Sequence, residues 1–453
     1  MECDFETWLN QFLNFEKTPE KNIFWLETMR FLCEKFGNPQ NSYKKIHVAG
    51  SKGKGSVCAF ISSILEESGL KTGLYTSPHI LSFYERISSA HSLFENEIYK
   101  KAENEMLSNE DFFKREHLPE RRAATWFELV TLFAFLTFRQ AHCDVSVLET
   151  GLGGRLDATN VVLPEVSVIM PIELEHTEFL GDTIEKIAYE KAGIIKEGIP
   201  VVCAHQTRVA RSVFEKVACE KKSPIYFLDD FLTSYKYEIK DESAYIELVL
   251  KDFERPLNFT TKMLGEIQAE NAAIACFAAR LAFPQITIKQ MEKGLSKAFL
   301  PARFEICKKF GATIIFDGAH TPNSIELTCK TFSKLFAFEP CFNTSGKGIL
   351  LFACAKDKKM DEMSKILLKN NFCSIFLTTP GEKLSDLSEL TQHFEQNLKN
   401  MSNEILYPLK DFQVISDFNL AFQKALKEAQ ITNQPLLICG SFYLIAGIKS
   451  KYF

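Results

Sequence analysis

Several things are scarce in this chain of 453 residues, and each absence argues against a class of function. There is no long basic run, and the formal net charge is −5, which speaks against nucleic acid or an anionic membrane as the main partner. Small anionic ligands stay compatible with that balance, because a few lysines and backbone amides hold them locally. The thirteen cysteines stand singly with no C-x-x-C pair, and their odd count fits neither a disulfide framework nor a zinc spacing. Reduced thiols in a cytoplasmic protein are the expectation, and Cys58, just after the glycine loop described below, reads as a small buried residue. The opening MECDFETWLNQ is acidic and lacks the basic start and apolar stretch of a secretory signal. The most apolar stretch, LVTLFAFLTF at 129–138, lies between Glu128 and Arg139. It is about half of the ~20 residues a membrane-spanning helix needs, so it reads as a buried helix. No low-complexity tract interrupts the chain.

What is present is an alternation of apolar strands with helical segments. Residues 5–36 read as two helices broken near Pro19. KKIHVAG then leads into the glycine loop, and GLYTS at 73–77 follows a helix that includes Phe60 to Leu65. DVSVLETG at 144–151, EVSVIM at 165–170 and IPVVCA at 199–204 continue the pattern. Strands this apolar, separated by helices, imply a largely parallel sheet covered on both faces. The second half repeats the style in ATIIFDGAH at 312–320, KGILLFACA at 347–355, SIFLTTP at 374–380 and LLICGS at 436–441, with helices near 360–370 and 417–429. The stretch 230–256, charged and less apolar, reads as a hairpin or edge segment. LPARFE at 300–305 follows a helix expected over 286–299 and marks a boundary. The fold class expected is therefore α/β: a domain with a largely parallel sheet over 1–299, then a smaller α/β domain over 300–453.

HVAGSKGKGSVCAF at 47–60 carries the first chemical signal. A strict phosphate loop reads G-x-x-x-x-G-K-[ST]. Here Val48 occupies the first glycine's place, and Gly55 separates Lys54 from Ser56, so the strict pattern fails. The physical requirements are still met, because glycines let successive N–H groups turn toward an anion where a helix begins. A bare strand-to-helix turn, in which the glycines only allow positive φ, stays open at this point.

The blocks that follow narrow the reading. HVAGSKGKGSV, GLYTSPHI-x-x-x-x-ERI, TWFELVTLFAF, LETGLGGRLDATN, LEHTEFLGDTIEKIAYEKAGIIK, LPARFE and FDGAH occur in that order. Together they resemble the folylpolyglutamate synthase/dihydrofolate synthase family, within the Mur ligase superfamily, from about residue 36 to residue 447. The resemblance implies ATP-dependent amide ligation, with a P-loop-like ATPase domain over 1–299 that binds ATP and folate, like the central domain of Mur ligases, and a Rossmann-like glutamate-ligase domain over 300–453. ATP phosphorylates a carboxylate of a pterin-containing substrate, and the amine of L-glutamate attacks the acyl phosphate. A carboxylate is a poor acyl donor because oxide would have to leave, whereas phosphate leaves readily. Transferring the phosphoryl group is mainly a matter of positioning and charge neutralisation.

The resemblance also implies site residues. Lys52, Gly53, Lys54 and Gly55 match the ATP-phosphate loop, with Lys52 replacing the usual asparagine. Ser56 joins by analogy with the P-loop serine. Ser77 and Glu149 match the positions that hold a first Mg2+, a hard ion suited by oxygen ligands. His176 matches a second-metal histidine, with Glu175 where the family has aspartate. Lys191 matches a lysine carried as an N6-carboxylated carbamate, a change that turns a cation into a metal-binding anion. Asn271, Arg303 and Asp317 match nucleotide-binding positions. Arg303 lies in PAR rather than the usual PGR. His320 matches a residue near the chemistry, followed by Thr321 instead of asparagine. Lys54, Lys191 and His320 are the catalytic candidates.

Two acceptors share this framework: reduced folate and 7,8-dihydropteroate. Thr125, Trp126, Phe127 and Glu128, with Leu156, Asp157 and Ala158, match positions that contact dihydropteroate in bifunctional members. NIFW at 22–25 lacks the glycine usual in another part of that pocket. A Mur-type ligase acting on a nucleotide-linked sugar would share the loop, Glu149 and the modified lysine, but GLGGRLDATN and TSPH favour the folate branch. A non-catalytic ATP-binding regulator would be expected to have lost the catalytic groups. A monomer is the expectation carried by the resemblance.

Overall fold

The computed structural model describes residues 5–14, 25–336, 348–356, 358–370, 372–380, 387–400 and 412–453. The expected break near Pro19 and Asn22, Ile23 and Phe24 of the NIFW stretch lie outside these residues. Among those described, three sheets organise the chain.

The first sheet has seven strands: β1 Lys44–Ala49, β2 Thr72–Tyr75, β3 Ile87–Ser89, β4 Val145–Glu149, β5 Val166–Ile169, β6 Val201–Cys203 and β7 Ile225–Phe227. Their order is β3-β2-β4-β1-β5-β6-β7, parallel throughout except for the antiparallel β3 edge. Every residue of β2, β4, β5 and β6 is buried, as expected of a parallel sheet with helices on both faces. LVTLFAFLTF lies within the helix Trp126–Gln140, whose side chains from Leu129 to Phe138 are all buried. No described helix is long and apolar enough to cross a membrane.

The stretch 230–256 forms the expected hairpin, β8 Leu232–Lys240 and β9 Ser243–Leu250, which β10 Leu257–Thr261 extends into a three-stranded antiparallel sheet. Next comes the alanine-rich helix Ile267–Ala282, which packs closely on the helix Lys54–Glu67 that follows the glycine loop. Its small buried side chains allow that approach and bring Asn271 to the loop.

The third sheet has six strands: β11 Glu305–Lys309, β12 Ala312–Phe316, β13 Gly348–Phe352, β14 Phe372–Leu377, β15 Phe412–Val414 and β16 Leu436–Cys439. Their order is β11-β12-β16-β13-β14-β15, parallel except for β11. The helix expected over 286–299 spans Ile288–Lys297, and those near 360–370 and 417–429 span Met360–Lys369 and Phe418–Thr432. Between the bodies, Ala302 and Phe304 take left-handed backbone, φ 53° and 48°. A glycine is at ease in that region, and Ala302 occupies it at a steric cost.

Candidate active site

The carboxyl ends of β1, β4 and β5 open on one cleft, where open parallel sheets hold their ligands. At the end of β1, Gly50 and Gly53 have φ of 147° and 79°, and Gly53 is the residue before the helix Lys54–Glu67. A Cβ on Gly50 would lie 2.4 Å from the Met170 Cβ, so the turn admits no side chain there. The loop therefore has the form of an anion-binding turn at a helix N-terminus. Asn271 Oδ1 lies 3.1 Å from where a Cβ of Gly53 would stand. Ser56 is buried in the first turn of the helix.

Lys54 and Lys191 meet at a single carbonyl. Their Nζ atoms donate to Gly50 O over 2.9 and 2.8 Å. Two ammonium groups on one acceptor repel each other, and burial together with Lys54 pushes Lys191 down to about 8, against the pull of Glu175. Lys191 also donates to Glu175 Oε1 at 3.1 Å. Burial works against an ionised Glu175, but Lys191, Lys54, Lys52 and His176 together outweigh it and hold the carboxyl at about 2. Lys52 is lowered by burial, and Lys54 and Lys358 add to that against Glu175 and Glu173.

Glu149, at the end of β4, is placed differently. Its Oε2 accepts the Ser77 backbone N–H at 3.1 Å, and its Oε1 is 4.0 Å from Lys54 Nζ. Burial raises its carboxyl above the ordinary range despite Lys54 and Arg303. The metal candidates thus fall in two corners: Ser77 with Glu149, and His176 with Lys191. Among the described residues, no group of three His, Cys, Asp or Glu side chains gathers as a metal cage.

The third sheet closes the cleft from the other side. Asp317 accepts the Phe304 N–H on Oδ2 at 2.8 Å, and on Oδ1 the Ala319 N–H at 2.8 Å and the Thr328 hydroxyl at 3.1 Å. These bonds lock the backbone on both sides of the joint. Arg303 lies over the Phe442 ring, its Cζ 4.8 Å from the centroid. His320 Nδ1 donates to Gly318 O at 2.7 Å, since a carbonyl only accepts. Burial, then Lys52, Lys358 and Arg303, hold its imidazole at about 4, against the Gly318 bond. The influence of Lys52 on His320 joins the two sides electrically.

The substrate candidates are mostly engaged in the fold. Thr125 and Glu128 cap the helix Trp126–Gln140 reciprocally, and Glu128 pairs with Arg122 at 2.8 Å. Trp126 is buried beneath the Arg86 guanidinium, 4.9 Å from its ring centroid. Phe127 is half-buried against Gly151, and Leu156 is half-buried too, while Asp157 and Ala158 are buried. Three neighbours escaped sequence reasoning. Lys358 sits past the end of β13, where the run KDKK at 356–359 was the available signal. Asn323 donates to Glu173 Oε1 at 2.7 Å across the cleft, and no local pattern marks that pair.

Known proteins share this fold and sequence pattern. The Mur ligase middle domain matches residues 48–279, and the Mur ligase glutamate ligase domain matches residues 302–442. The dihydrofolate synthase/folylpolyglutamate synthase of Bacillus subtilis is 32% identical over 455 aligned positions, covering 99% of this chain and 98% of its own. The solved folylpolyglutamate synthase of Thermotoga maritima superposes with a TM-score of 0.77 at 29% identity, covering 98% of this chain and 94% of its own. An FPGS–AMPPCP–folate complex superposes with a TM-score of 0.77 at 27% identity, covering 99% and 98%. By domain match, by identity along nearly its whole length and by its two-body α/β fold, the chain belongs to the dihydrofolate synthase/folylpolyglutamate synthase family of Mur-type ligases.

Proposed function

We propose that this ligase uses ATP to join L-glutamate to a reduced folate, and also to 7,8-dihydropteroate, through an acyl phosphate. The observation that carries the reading is the crowd of cations at the glycine loop. Lys54 and Lys191 share one carbonyl, and Lys52, Lys358 and Arg303 lie within electrostatic reach of His320 or Glu175. That crowd is electrostatically costly without an anion, and the phosphates of ATP would relieve it.

In this reading the loop amides and Lys54 hold the phosphates, Asn271 approaches the nucleotide beside the loop and Arg303 approaches it from across the cleft. The substrate carboxylate takes the terminal phosphoryl group. The glutamate amine then displaces phosphate from the acyl carbon. His320, neutral at pH 7 with Nδ1 tied to Gly318, presents Nε2 as a lone-pair acceptor for a proton. Closing the third sheet over the loop keeps water from the acyl phosphate.

Glu149 fits a hard cation, because it is a buried carboxylate with few donors beside the loop. With Ser77 it would hold Mg2+, which supplies charge neutralisation on the phosphates. Lys191, pushed down to about 8, is neutral in a fraction of molecules at pH 7, the form that takes up CO2. As a carbamate it would join His176 at a second ion. We take 1–299 and 300–453 as the working domains and a monomer as the working unit, as the family resemblance suggests.

The test is ADP release by the purified protein with ATP, magnesium and glutamate, run with dihydropteroate, with tetrahydrofolate and with neither. Stimulation by both supports the two-acceptor reading, and stimulation by tetrahydrofolate alone narrows it to polyglutamylation. No stimulation by either sinks it and points to nucleotide-sugar substrates.

A further inference from the structure

Three buried side chains tie β1 to the loop that follows β4. His47 is wholly buried on β1, and its Nε2 lies 2.7 Å from Thr159 Oγ1. The Thr159 hydroxyl donates to Asp157 Oδ1. A hydroxyl has one proton, so His47 must be the donor in the first contact, and Nε2 carries its hydrogen. Nδ1 is then a bare acceptor, and it has no hydrogen-bond partner among the described residues. Burial, with Lys196 adding to it, holds His47 at about 3, so the ring is neutral across the working range.

Asp157 passes the constraint on. Its Oδ1 also accepts the Thr159 N–H at 3.0 Å, and its Oδ2 accepts the N–H groups of Gly151 and Leu152, each at 2.9 Å. Four donors around one carboxylate favour its ionised form, although burial outweighs them and raises the carboxyl above its ordinary value. The resemblance grouped Asp157 with pterin contacts; in the fold its oxygens hold the backbone of LETGLGG. The chain of bonds ends beneath Phe127. A Cβ on Gly151 would fall 2.4 Å from the Cζ of that ring, so the place of Gly151 sets the place of the ring.

We infer that His47 is a positioning residue: through Thr159 and Asp157 it fixes the Gly151–Leu152 turn, and with it the Phe127 surface on which the pterin substrate docks. The docking half rests on the proposed pterin reading. The relay half follows from buried hydrogen bonds, where one missing donor leaves the next group unpaired at a cost felt along the chain.

The variants are His47→Leu, which removes the donor, His47→Gln, which offers an amide N–H at similar reach, and Thr159→Val. Amide hydrogen exchange at Gly151 and Leu152 is expected to run at least about tenfold faster in His47→Leu and Thr159→Val, and near the wild-type rate in His47→Gln. KM for tetrahydrofolate is expected to rise about tenfold while KM for ATP stays within about twofold, and the double variant should be no worse than the worse single one. Exchange at wild-type rates overturns the relay whatever the substrate is. Faster exchange with both KM values unchanged leaves a structural role only and overturns the positioning role. Faster exchange in an enzyme whose ADP release ignores pterins upholds the relay and overturns docking together with the pterin reading. If His47→Leu does not fold, Thr159→Val separates the same outcomes.

Discussion

The two acidic corners of the cleft use the same residue type and differ in charge balance. Glu149 has one lysine at 4.0 Å and a single backbone donor, and burial holds its carboxyl up. Glu175 faces three lysines and is held down to about 2. Its partner Lys191 is itself pushed down to about 8 by burial and by Lys54, against the pull of Glu175. In the first corner burial outweighs the reach of Lys54, Arg303 and Arg86, and on the proposed reading Glu149 would take a cation there as it stands. In the second, Lys52, Lys54 and Lys191 outnumber Glu175, and on the proposed reading a cation would fit there only with Lys191 as a carbamate.

The largest break in that comparison should come from Glu149→Gln. A loss of at least about a thousandfold in kcat/KM, or ~4 kcal/mol, is expected in the ADP-release assay, with an unchanged melting temperature. Activity above a tenth of wild type would erase the distinction between the corners. Lys191→Arg keeps the charge and cannot become a carbamate, so a loss of about a hundredfold is expected. With 13CO2 the wild type should show a carbamate carbon signal that this variant lacks. Wild type without that signal would leave the second corner cationic.

Glu175→Gln should cost less, about tenfold or below. It also separates the corners by pH. Because Glu149 is raised above the ordinary carboxylate value, it takes up its proton first as the pH falls, and activity should be lost through that step. Glu175 titrates only near pH 2, so the acid limb of kcat/KM should stay in place in Glu175→Gln. A limb that moves by more than about half a unit would reassign it. The smallest effect is expected outside both corners, at the joint. Ala302→Gly relieves ~1 kcal/mol of left-handed strain but removes a buried methyl worth about 0.8 kcal/mol. Urea unfolding should therefore show a change below about 1 kcal/mol in either direction.

Much of this frame was legible beforehand. The long apolar strands β1, β4, β5, β12, β13 and β16 announce themselves by composition, because a strand buried on both faces has no polar side to disguise it. β3, β7 and β15 are short and only partly buried, unlike the equally short but wholly buried β6, and EICKK of β11 carries two lysines at an exposed sheet edge. Glycine spacing revealed the loop, since only glycine tolerates the φ of Gly50 and Gly53 at such close quarters. Thr125, Trp126 and Glu128 show the opposite case: a motif matched their positions, while capping and burial occupy their side chains.

The sequence by itself determined the parallel sheets, the loop at the end of β1 and the family, because these depend on local composition and on residue order. Tertiary structure decided what each charge does. It brought Lys191 from 141 residues away onto the Gly50 carbonyl that Lys54 also uses, and it set Glu149 and Glu175 in unlike surroundings. It also joined His47 to Thr159, 112 residues away, and through that hydroxyl to Asp157. Ionisation and hydrogen bonding depend on distance and burial in space, and neither can be read from positions along a chain.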